Sequence, residues 1–498
     1  MAQGKGQWVR LVGTGVVVGV LWALLLLVAR FALGVPSLQE VVAERLVKAT
    51  PGWLFGFLLD RLLYLAKPLL LGGLSLGLAA VATGTVVGMR QVVGGPSLWP
   101  WAVWVGSVLG LVGVGLGWLA GGGGFPFWAG ISGASAVAGL ATAALESATA
   151  PTPSRPDRRA ALGRLALWGM VGVGALWGIR LLVGGAPRLA PPRQQRRPPG
   201  SLPPDITPTE QFYIVSKNFV DPQLDAGQWT LQVDGLVGAP FTLTYQDLLA
   251  LPAVELPVTL QCISNPVGGD LISTAIWKGV PLKRLLEQAR LQEGVRKVAL
   301  FAADGYSDSL PLDVAIQEQV LVAYAMNGEP LPYKHGFPAR LLVPGRYGLK
   351  SVKWLTRIRP VAEDFKGFWQ EQGWSDTAFV HTTSQVWTPR SGQWVRPGQV
   401  EAWGIAFAGD RGISRVEVSW DEGQTWEPAL LRPALSPYTW HIWTTQKPLD
   451  TPGRHTLRVR AADGAGQWQA TAERDPFPDG ALGIHSVILV VTKEDGSI

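Results

Sequence analysis

The sequence predicts a multidomain protein that combines an α-helical membrane anchor with an α+β domain and an antiparallel β-sandwich. Residues 1–185 contain long apolar stretches rich in Leu, Val, Gly and Ala. These stretches match the roughly 20-residue length of a membrane-crossing helix. Beyond residue 208 the pattern changes to short strands mixed with helices, and later to strands separated by turn residues. We therefore place the α+β domain at 209–365 and the sandwich at 366–498.

The membrane anchor is predicted to contain about five helical spans. Glycines inside these stretches permit close packing between helices. Residues 52–66 carry Asp60 and Arg61 among leucines and aromatic residues, a composition typical of an amphipathic helix in the membrane interface. The predicted spans are residues 9–29, 68–89, 98–120, 126–145 and 162–183.

A Pro/Arg-rich connector, residues 186–208, joins the anchor to the rest of the chain. Its composition cannot form a packed core and is typical of an extended spacer. The formal net charge of +6 is spread over loops and this connector. The charge therefore gives no indication of nucleic-acid binding.

Apolar periodicity predicts the elements of the two remaining domains. In the α+β domain we expect helices at 245–250 and 282–290. Its expected strands are 298–302, 320–325, 339–343 and 351–360. The expected sandwich strands are 400–408, 413–420, 440–444, 455–461 and 485–491.

Cys262 is the only cysteine in the 498 residues, and it ends an apolar, β-branched run. A lone thiol cannot form an internal disulfide or a multi-cysteine metal site. A functional Cys262 would therefore act as a single soft metal ligand or as a nucleophile. The alternative is a buried and inert side chain, which is common for a free cysteine.

Several segments follow Cys262 in a fixed order: LQCISN (260–265), AIWKGVPLKRLL (275–286), DGYSDSLPL (304–312), AYAMNGEPLP (323–332), HGFPARLLVPG (335–345) and GLKSVKWL (348–355). Together they resemble the molybdopterin-binding domain of the sulfite oxidase family. The later segments AGDRGISRVEVS (408–419), GQTW (423–426) and RAADGAG (460–466) are similar to that family's immunoglobulin-like dimerisation domain. The resemblance covers about 206–495 and excludes the predicted anchor.

This resemblance implies molybdopterin as the cofactor and Cys262 as the metal ligand. In the family, two dithiolene sulfurs of one pterin and a single protein thiolate bind molybdenum, and Cys262 holds the matching position. A soft thiolate suits such a sulfur-ligated metal. Gly268 and Gly269, which follow the cysteine, are expected to leave room for the cofactor near the backbone.

The resemblance also assigns further site residues. The pterin ends in a phosphate, for which cationic donors are suited. Tyr306 corresponds to the family's active-site tyrosine, whose hydroxyl can hydrogen-bond substrate and move protons. The alternative for the tyrosine is a ring that only packs against its neighbours. For Lys350 and Lys353 the alternative is a solvated charge at the surface. The implied cofactor-binding residues are Asn265, His335, Arg340, Lys350 and Lys353.

One departure from the family pattern bears on the substrate. Animal and plant sulfite oxidases carry arginines shortly after the ligating cysteine, and these bind the sulfite dianion. This chain has Pro-Val-Gly-Gly at 266–269 instead. Near the domain start, where that family has another anion-binding arginine, this chain has only Lys217. The departure argues against sulfite as the substrate.

Charge near the fifth predicted span indicates membrane orientation. Arg158 and Arg159 directly precede this span and look like an internal twin-arginine export signal. The positive-inside rule alone predicts the same orientation. On either interpretation the protein is a multi-pass protein of the cell membrane whose two later domains are extracytoplasmic.

Electron transfer is expected to need a second protein. The first histidine is His335, so the predicted anchor has no histidine pair for a membrane haem. The chain also has no cysteine pair for a c-type haem or an iron–sulfur cluster. We expect a separate partner, either a cytochrome or a quinone-linked protein, and the dimerisation-type domain leaves a homodimer open.

The sequence therefore predicts a membrane-anchored molybdenum oxidoreductase. We expect two-electron chemistry, in the form of oxygen-atom transfer, on a small oxyanion or sulfur compound. The alternative within this class is a reductase of sulfoxides, such as oxidised methionine in exported proteins. The alternative from another class is a cofactor-free extracytoplasmic binding or scaffold protein in which Cys262 is merely buried.

Overall fold

The computed structural model describes residues 202, 204–218 and 221–493. The predicted spans, the first part of the connector and the paired arginines lie outside these residues. Within the described part of the chain, none of the helices has the length and apolar character needed to cross a membrane.

Two β-sheets form the framework of the α+β domain. Its strands are β1 (Thr230–Val233), β2 (Phe241–Thr244), β3 (Val254–Gln261), β4 (Ile272–Pro281), β5 (Lys297–Ala302), β6 (Ser307–Pro311), β7 (Leu321–Met326), β8 (Glu329–Pro330), β9 (Arg340–Leu342) and β10 (Leu355–Val361). The first sheet has the order β2-β1-β10-β5-β6, in which only β1 and β10 pair in parallel. The second is antiparallel, with the order β3-β4-β7-β8 and β9 paired to β7.

Short helices connect these strands: α1 (Tyr245–Ala250), α2 (Leu282–Ala289) and α3 (Leu312–Ala315). Helix α1 begins at a capping box, in which Thr244 Oγ1 accepts the backbone N–H of Asp247 and the Asp247 carboxylate accepts that of Thr244. This exchange satisfies donors that the first turn leaves open. Helix α2 buries an i, i+3, i+4, i+7 stripe, which is Leu282, Leu285, Leu286 and Ala289.

Apolar side chains of both sheets and of α2 meet in one core. Leu231 and Ile358 come from the first sheet, Val322 from the second and Leu285 from α2. Each fully buried side chain of this size stabilises the fold by about 1.5–3 kcal/mol. The far half of β3, from Val258 to its end, is buried as well, so the strand holds the start of the following loop firmly.

The second domain is a β-sandwich. Its strands are β11 (Thr383–Thr388), β12 (Gln393–Val395), β13 (Gly398–Phe407), β14 (Ile413–Ser419), β15 (Glu427–Pro428), β16 (Leu430–Leu431), β17 (His441–Leu449), β18 (Gly453–Asp463) and β19 (His485–Val491). They form one sheet of order β11-β13-β17-β16 and a second of order β12-β19-β18-β14-β15. Inward side chains of both sheets, such as Trp443 and Leu457, share a buried cluster.

The sandwich packs directly against the α+β domain. Ile263 and Ile272, on either side of the loop after β3, share a buried apolar cluster with Phe407 and Trp440 of the sandwich. Thr259 of β3 adds two hydrogen bonds to this interface. Its N–H donates to Tyr438 O and its Oγ1 accepts the N–H of Trp440, both at 2.9 Å. The two domains therefore hold the loop between them.

Most of the expected helices and strands coincide with observed elements. The exception in the α+β domain is the expected strand at 351–360, because β10 begins only at Leu355. Residues Gly348–Lys350 form a 3-10 turn, and Trp354 adopts a positive φ of 52°. This irregular segment turns several side chains toward a cavity.

Candidate active site

A cavity with about 970 Å³ of empty space, including its open mouth, lies beside the end of β3. The walls come from residues 212–217, the start of the loop after β3, the turn between β5 and β6, residues 334–354 and two tryptophans near 370. Distant parts of the sequence thus converge on one space.

Cys262 lines this cavity directly after the buried end of β3. Its N–H donates to Leu271 O at 2.9 Å and its carbonyl accepts the N–H of Asn265 at 3.1 Å, so both ends of the loop fix its backbone. The thiol lies 3.0 Å from Ser264 Oγ. Burial raises the pKa of the thiol, although the hydrogen bond from Ser264 opposes this shift. Binding of a metal would displace the proton.

The expectation that Gly268 and Gly269 leave room for the cofactor is wrong. A Cβ on Gly268 would lie 2.3 Å from the His485 ring, and one on Gly269 would lie 2.4 Å from Asn265 Oδ1. Neither glycine lines the cavity. The glycines therefore permit contact of the loop with the sandwich and with its own turn. The Gly269 carbonyl accepts a hydrogen bond from Gln385 Nε2 at 3.0 Å.

Cationic side chains gather at another part of the cavity. His335, Arg340, Lys353 and Lys334 all line it, although they come from separate segments. Lys353 Nζ donates to Lys334 O at 3.0 Å and to Val215 O at 3.1 Å. Such a group of cations is suited to the oxygens of a phosphate.

Arg340 is buried and braces this region. Its guanidinium lies over the Trp277 ring and donates to the carbonyls of Leu341, His335 and Ser351, at 3.4, 3.1 and 3.0 Å. These bonds use three of its five N–H groups. Burial lowers its pKa to about 10, so it stays cationic near neutral pH.

His335 is a neutral donor or acceptor in the same wall. It is buried and its ring packs edge-on against Phe212. Burial, followed by the charges of Arg340 and Lys353, lowers its pKa to about 3. Near neutral pH it therefore adds hydrogen bonding without adding charge.

Tyr306 also lines the cavity, and a buried charge pair lies behind it. The Tyr306 hydroxyl lies 3.0 Å from Asp308 Oδ2 and 2.9 Å from Leu349 O. Burial and the adjacent Asp308 raise the pKa of Tyr306 well above its usual range. Tyr306 is therefore a hydrogen-bond donor and not a base.

Two of the predicted cofactor contacts lie outside the cavity lining. Asn265 is buried, and its Oδ1 accepts the N–H of Leu271 at 2.9 Å, so it closes the cysteine loop. Lys350 is buried behind the wall, where its Nζ donates to Asp308 Oδ1 at 2.7 Å. In this structure both residues support the wall, whereas Cys262, Tyr306, His335, Arg340 and Lys353 share the cavity.

Sequence reasoning missed several aromatic residues of the cavity. Tyr213, Trp369 and Trp374 line it together with Lys217. The Trp374 indole Nε1 is buried and has no hydrogen-bond partner among the described residues. The density of aromatic residues at 365–374 was the available signal, but nothing in the pattern showed that this segment reaches the cysteine.

Residues 218–369 match the family model described as "Oxidoreductase molybdopterin binding domain". Residues 377–474 match "Mo-co oxidoreductase dimerisation domain". An uncharacterized oxidoreductase, YuiH, of Bacillus subtilis is 37% identical over 175 residues, which is 35% of this chain and 86% of that protein. Chicken (Gallus gallus) sulfite oxidase is 32% identical over 310 residues, 52% of this chain and 67% of that protein. This chain belongs to the sulfite oxidase family.

Other family members confirm the breadth of the match. Human mitochondrial sulfite oxidase is 34% identical over 303 residues, 51% of this chain and 55% of that protein. The chain thus spans about half the length of the mammalian relatives it matches.

The fold of this chain also matches a solved structure, that of the sulfane dehydrogenase SoxCD from Paracoccus pantotrophus. The TM-score is 0.52 at 24% sequence identity, and the match covers 60% of this chain and 83% of that chain. At this identity the likeness concerns the fold alone.

The residues of the cavity fit the molybdenum cofactor that the family binds. Cys262 offers a soft sulfur donor at one position, and Arg340, Lys353 and Lys334 offer cations for a phosphate at another. Among the described residues, no group of three or more His, Cys, Asp and Glu side chains is arranged to hold a metal. When bound, the cofactor supplies a metal that exchanges two electrons.

Arg340→Ala is expected to lower pterin retention. A charge-assisted hydrogen bond contributes about 1.5–3 kcal/mol, so retention after dialysis should fall by about tenfold or more. Fluorescence of the released pterin measures the occupancy. Arg357→Gln is the control, because Arg357 pairs with Asp234 away from the cavity. Equal occupancy in the Arg340 variant and the wild type would make Arg340 purely structural.

Proposed function

We propose that the protein catalyses two-electron oxygen-atom transfer on a small sulfur compound, with molybdenum held by Cys262. The observation that carries this proposal is the single cavity in which the Cys262 thiol, the Tyr306 hydroxyl and a group of cations meet. A soft ligand, a proton donor and a phosphate site are the parts that such a reaction requires from the protein.

Each part of the cavity then has a distinct task. Arg340 and Lys353 would bind the cofactor phosphate and set its position. Tyr306 remains protonated, so its hydroxyl would orient an oxygen of the substrate. Trp369 and Trp374 lie in the same walls and would exclude water from the bound substrate, which strengthens each polar contact there.

Cations of the cavity are already bound to carbonyl oxygens of the chain. Arg340, the only arginine among the described lining residues, donates to three carbonyls at the proposed phosphate end. Lys217 donates to Asp304 O at 2.9 Å and lies near Asn218 Oδ1. These observations also favour a second candidate function, the reduction of a sulfoxide, because a sulfoxide is neutral and needs only an oxygen-binding donor.

Purification of the full chain tests this function. We expect about one molybdenum and one pterin per chain by elemental analysis and pterin fluorescence. A screen should then compare sulfite oxidation with the reduction of dimethyl sulfoxide and methionine sulfoxide, using dyes as electron carriers. Absence of molybdenum after expression in a cofactor-producing host would contradict the proposal. Turnover of sulfoxides alone would select the second candidate.

Tyr306→Phe is expected to keep the cofactor and to slow turnover by about 100-fold. The ring still fills its place, while the hydroxyl that would orient substrate is lost. Steady-state kinetics and pterin content together measure the effect. A normal kcat with normal pterin content would remove the hydroxyl from the mechanism.

We further propose that the protein is anchored in the cell membrane with its two described domains outside the cytoplasm. The apolar character of residues 1–185 and the arginines before residue 162 support this location. A separate electron carrier would then complete the reaction. The match to a dimerisation domain supports a homodimer.

Export gives a further expected result. The double variant Arg158→Lys, Arg159→Lys keeps the positive charge but removes the paired arginines that the twin-arginine route requires. We expect residues 209–498 to stay in the cytoplasm, protected from added protease in intact spheroplasts. Exposure of these residues in the variant would show that only the positive-inside rule acts.

A further inference from the structure

A buried lysine lies directly behind the cavity wall. The Lys350 side chain is 1% exposed, and its ammonium donates to Asp308 Oδ1 at 2.7 Å, to Ser309 O at 3.0 Å and to Asp376 Oδ1 at 3.4 Å. An ammonium has three N–H groups, so these bonds account for all of them. The mechanism above does not use this charge.

The ammonium is separated from the cavity by one carboxylate. The Asp308 oxygen that does not bind Lys350 lies 3.0 Å from the Tyr306 hydroxyl, and Tyr306 lines the cavity. Both chain neighbours of Lys350, Leu349 and Ser351, line the cavity too. The backbone at Lys350 therefore runs along the wall while its side chain is directed into the protein.

Asp308 is the main partner that keeps Lys350 in this position. Asp376 is the other acid near the ammonium, but its Oδ2 accepts from Lys297 at 2.7 Å and from Lys366 at 2.6 Å. Its bond to Lys350 is the longest of the three. Asp308 is fully buried, and among the described residues its ion pair is with Lys350, while its other oxygen lies beside the Tyr306 hydroxyl.

We propose that Asp308 is a specificity-determining residue that withholds the Lys350 ammonium from the cavity, so that the site selects neutral sulfur compounds over sulfur oxyanions. This inference rests on the proposed function, since it names the substrate class of the same site. A dianion in the cavity needs cations that are not already neutralised. Asp308 neutralises the Lys350 ammonium directly behind the wall.

Replacement of Asp308 should therefore create an anion site. In Asp308→Ala, Lys350 loses its shortest bond, and its flexible four-carbon stem can direct the ammonium toward the space beside Tyr306. A charge-assisted bond to an oxyanion then becomes available. The substitution would change the preference of the site toward sulfate-like and sulfite-like ligands.

Sulfate is the probe, because it is a dianion whose binding can be measured without turnover. We expect isothermal titration of the full, cofactor-loaded chain at fixed ionic strength to show about tenfold tighter sulfate binding in Asp308→Ala than in the wild type. The double variant Asp308→Ala, Lys350→Met should return to the wild-type affinity. Asp234→Asn is the charge-matched control, since Asp234 pairs with Arg357 away from the cavity.

Two results would overturn the inference. One is a folded Asp308→Ala variant that binds sulfate as weakly as the wild type. The other is a gain that persists in the double variant. If Asp308→Ala does not fold, Asp308→Asn decides, because it keeps the size of the side chain and removes its charge: sulfate should again bind more tightly, and an unchanged affinity would contradict the inference. Titration is independent of turnover, so failure of the proposed reaction would show separately, in the substrate screen.

Discussion

Replacing Cys262 by serine should reduce turnover by at least about 100-fold. Substitution of residues that only hydrogen-bond to a metal ligand already lowers metal affinity or activity by about 10- to 100-fold, and Cys262 would be a ligand itself. Serine places a harder oxygen where the metal takes a soft sulfur. A serine hydroxyl can keep the hydrogen bond that the thiol makes with Ser264, so the substitution leaves the loop and its hydrogen bonds in place. Pterin should persist through the phosphate contacts of Arg340 and Lys353.

Steady-state kinetics, pterin fluorescence and a melting curve together check this result. Unchanged pterin content and an unchanged melting temperature are the controls that separate loss of the ligand from loss of the fold. Full turnover by Cys262→Ser would show that the thiolate does not bind the reacting metal.

Lys350→Met should lower the free energy of unfolding by about 3–5 kcal/mol near neutral pH. The substitution leaves the Asp308 carboxylate fully buried without its cation. Urea denaturation of the purified chain measures the loss. Lys366→Met is the matched control, because Lys366 is 43% exposed and pairs at the surface; we expect a change below about 1 kcal/mol there.

The same variant should recover stability as the pH falls. Burial already raises the pKa of Asp308, although Lys350 opposes this shift, and removal of the cation raises it further. A carboxyl whose folded pKa exceeds its unfolded pKa binds more protons in the folded state between these two values. Stability therefore falls as the pH rises through this window. A deficit that is the same at acid and neutral pH would place its cause outside Asp308.

The sequence predicted elements where local pattern and burial agree. Helix α1 has its capping box and α2 its apolar stripe, and both were expected within one residue of their observed bounds. The expected strands did not include β1, β2, β3, β4 and β6, of which β1 and β2 are only four residues long. A strand of this length carries too few alternations to stand out from a loop.

The structure brings most of the predicted site residues into one cavity, while their roles toward the cofactor stay a prediction. Cys262, Tyr306, His335, Arg340 and Lys353 share one cavity. Lys350 looked like its neighbour Lys353 in the sequence. Lys350 is the last residue of a 3-10 turn, whereas Lys353 lies beyond that turn, and no local pattern announces such a turn.

Contacts between residues far apart in the chain could not be predicted from the sequence alone. His485 explains why Gly268 has no side chain, yet more than 200 residues separate them. Asp376 reaches Lys350 in the same way, across the end of the α+β domain. Such contacts follow from the packing of two domains, which single-sequence periodicity does not encode.

X-ray absorption at the molybdenum edge tests the central claim, that Cys262 holds the metal of a sulfite-oxidase-type centre. For the purified wild-type chain we expect three sulfur neighbours per molybdenum, two from the pterin and one from Cys262. For Cys262→Ser we expect two. An identical sulfur count in the two proteins, or no molybdenum in the wild type, would contradict the account.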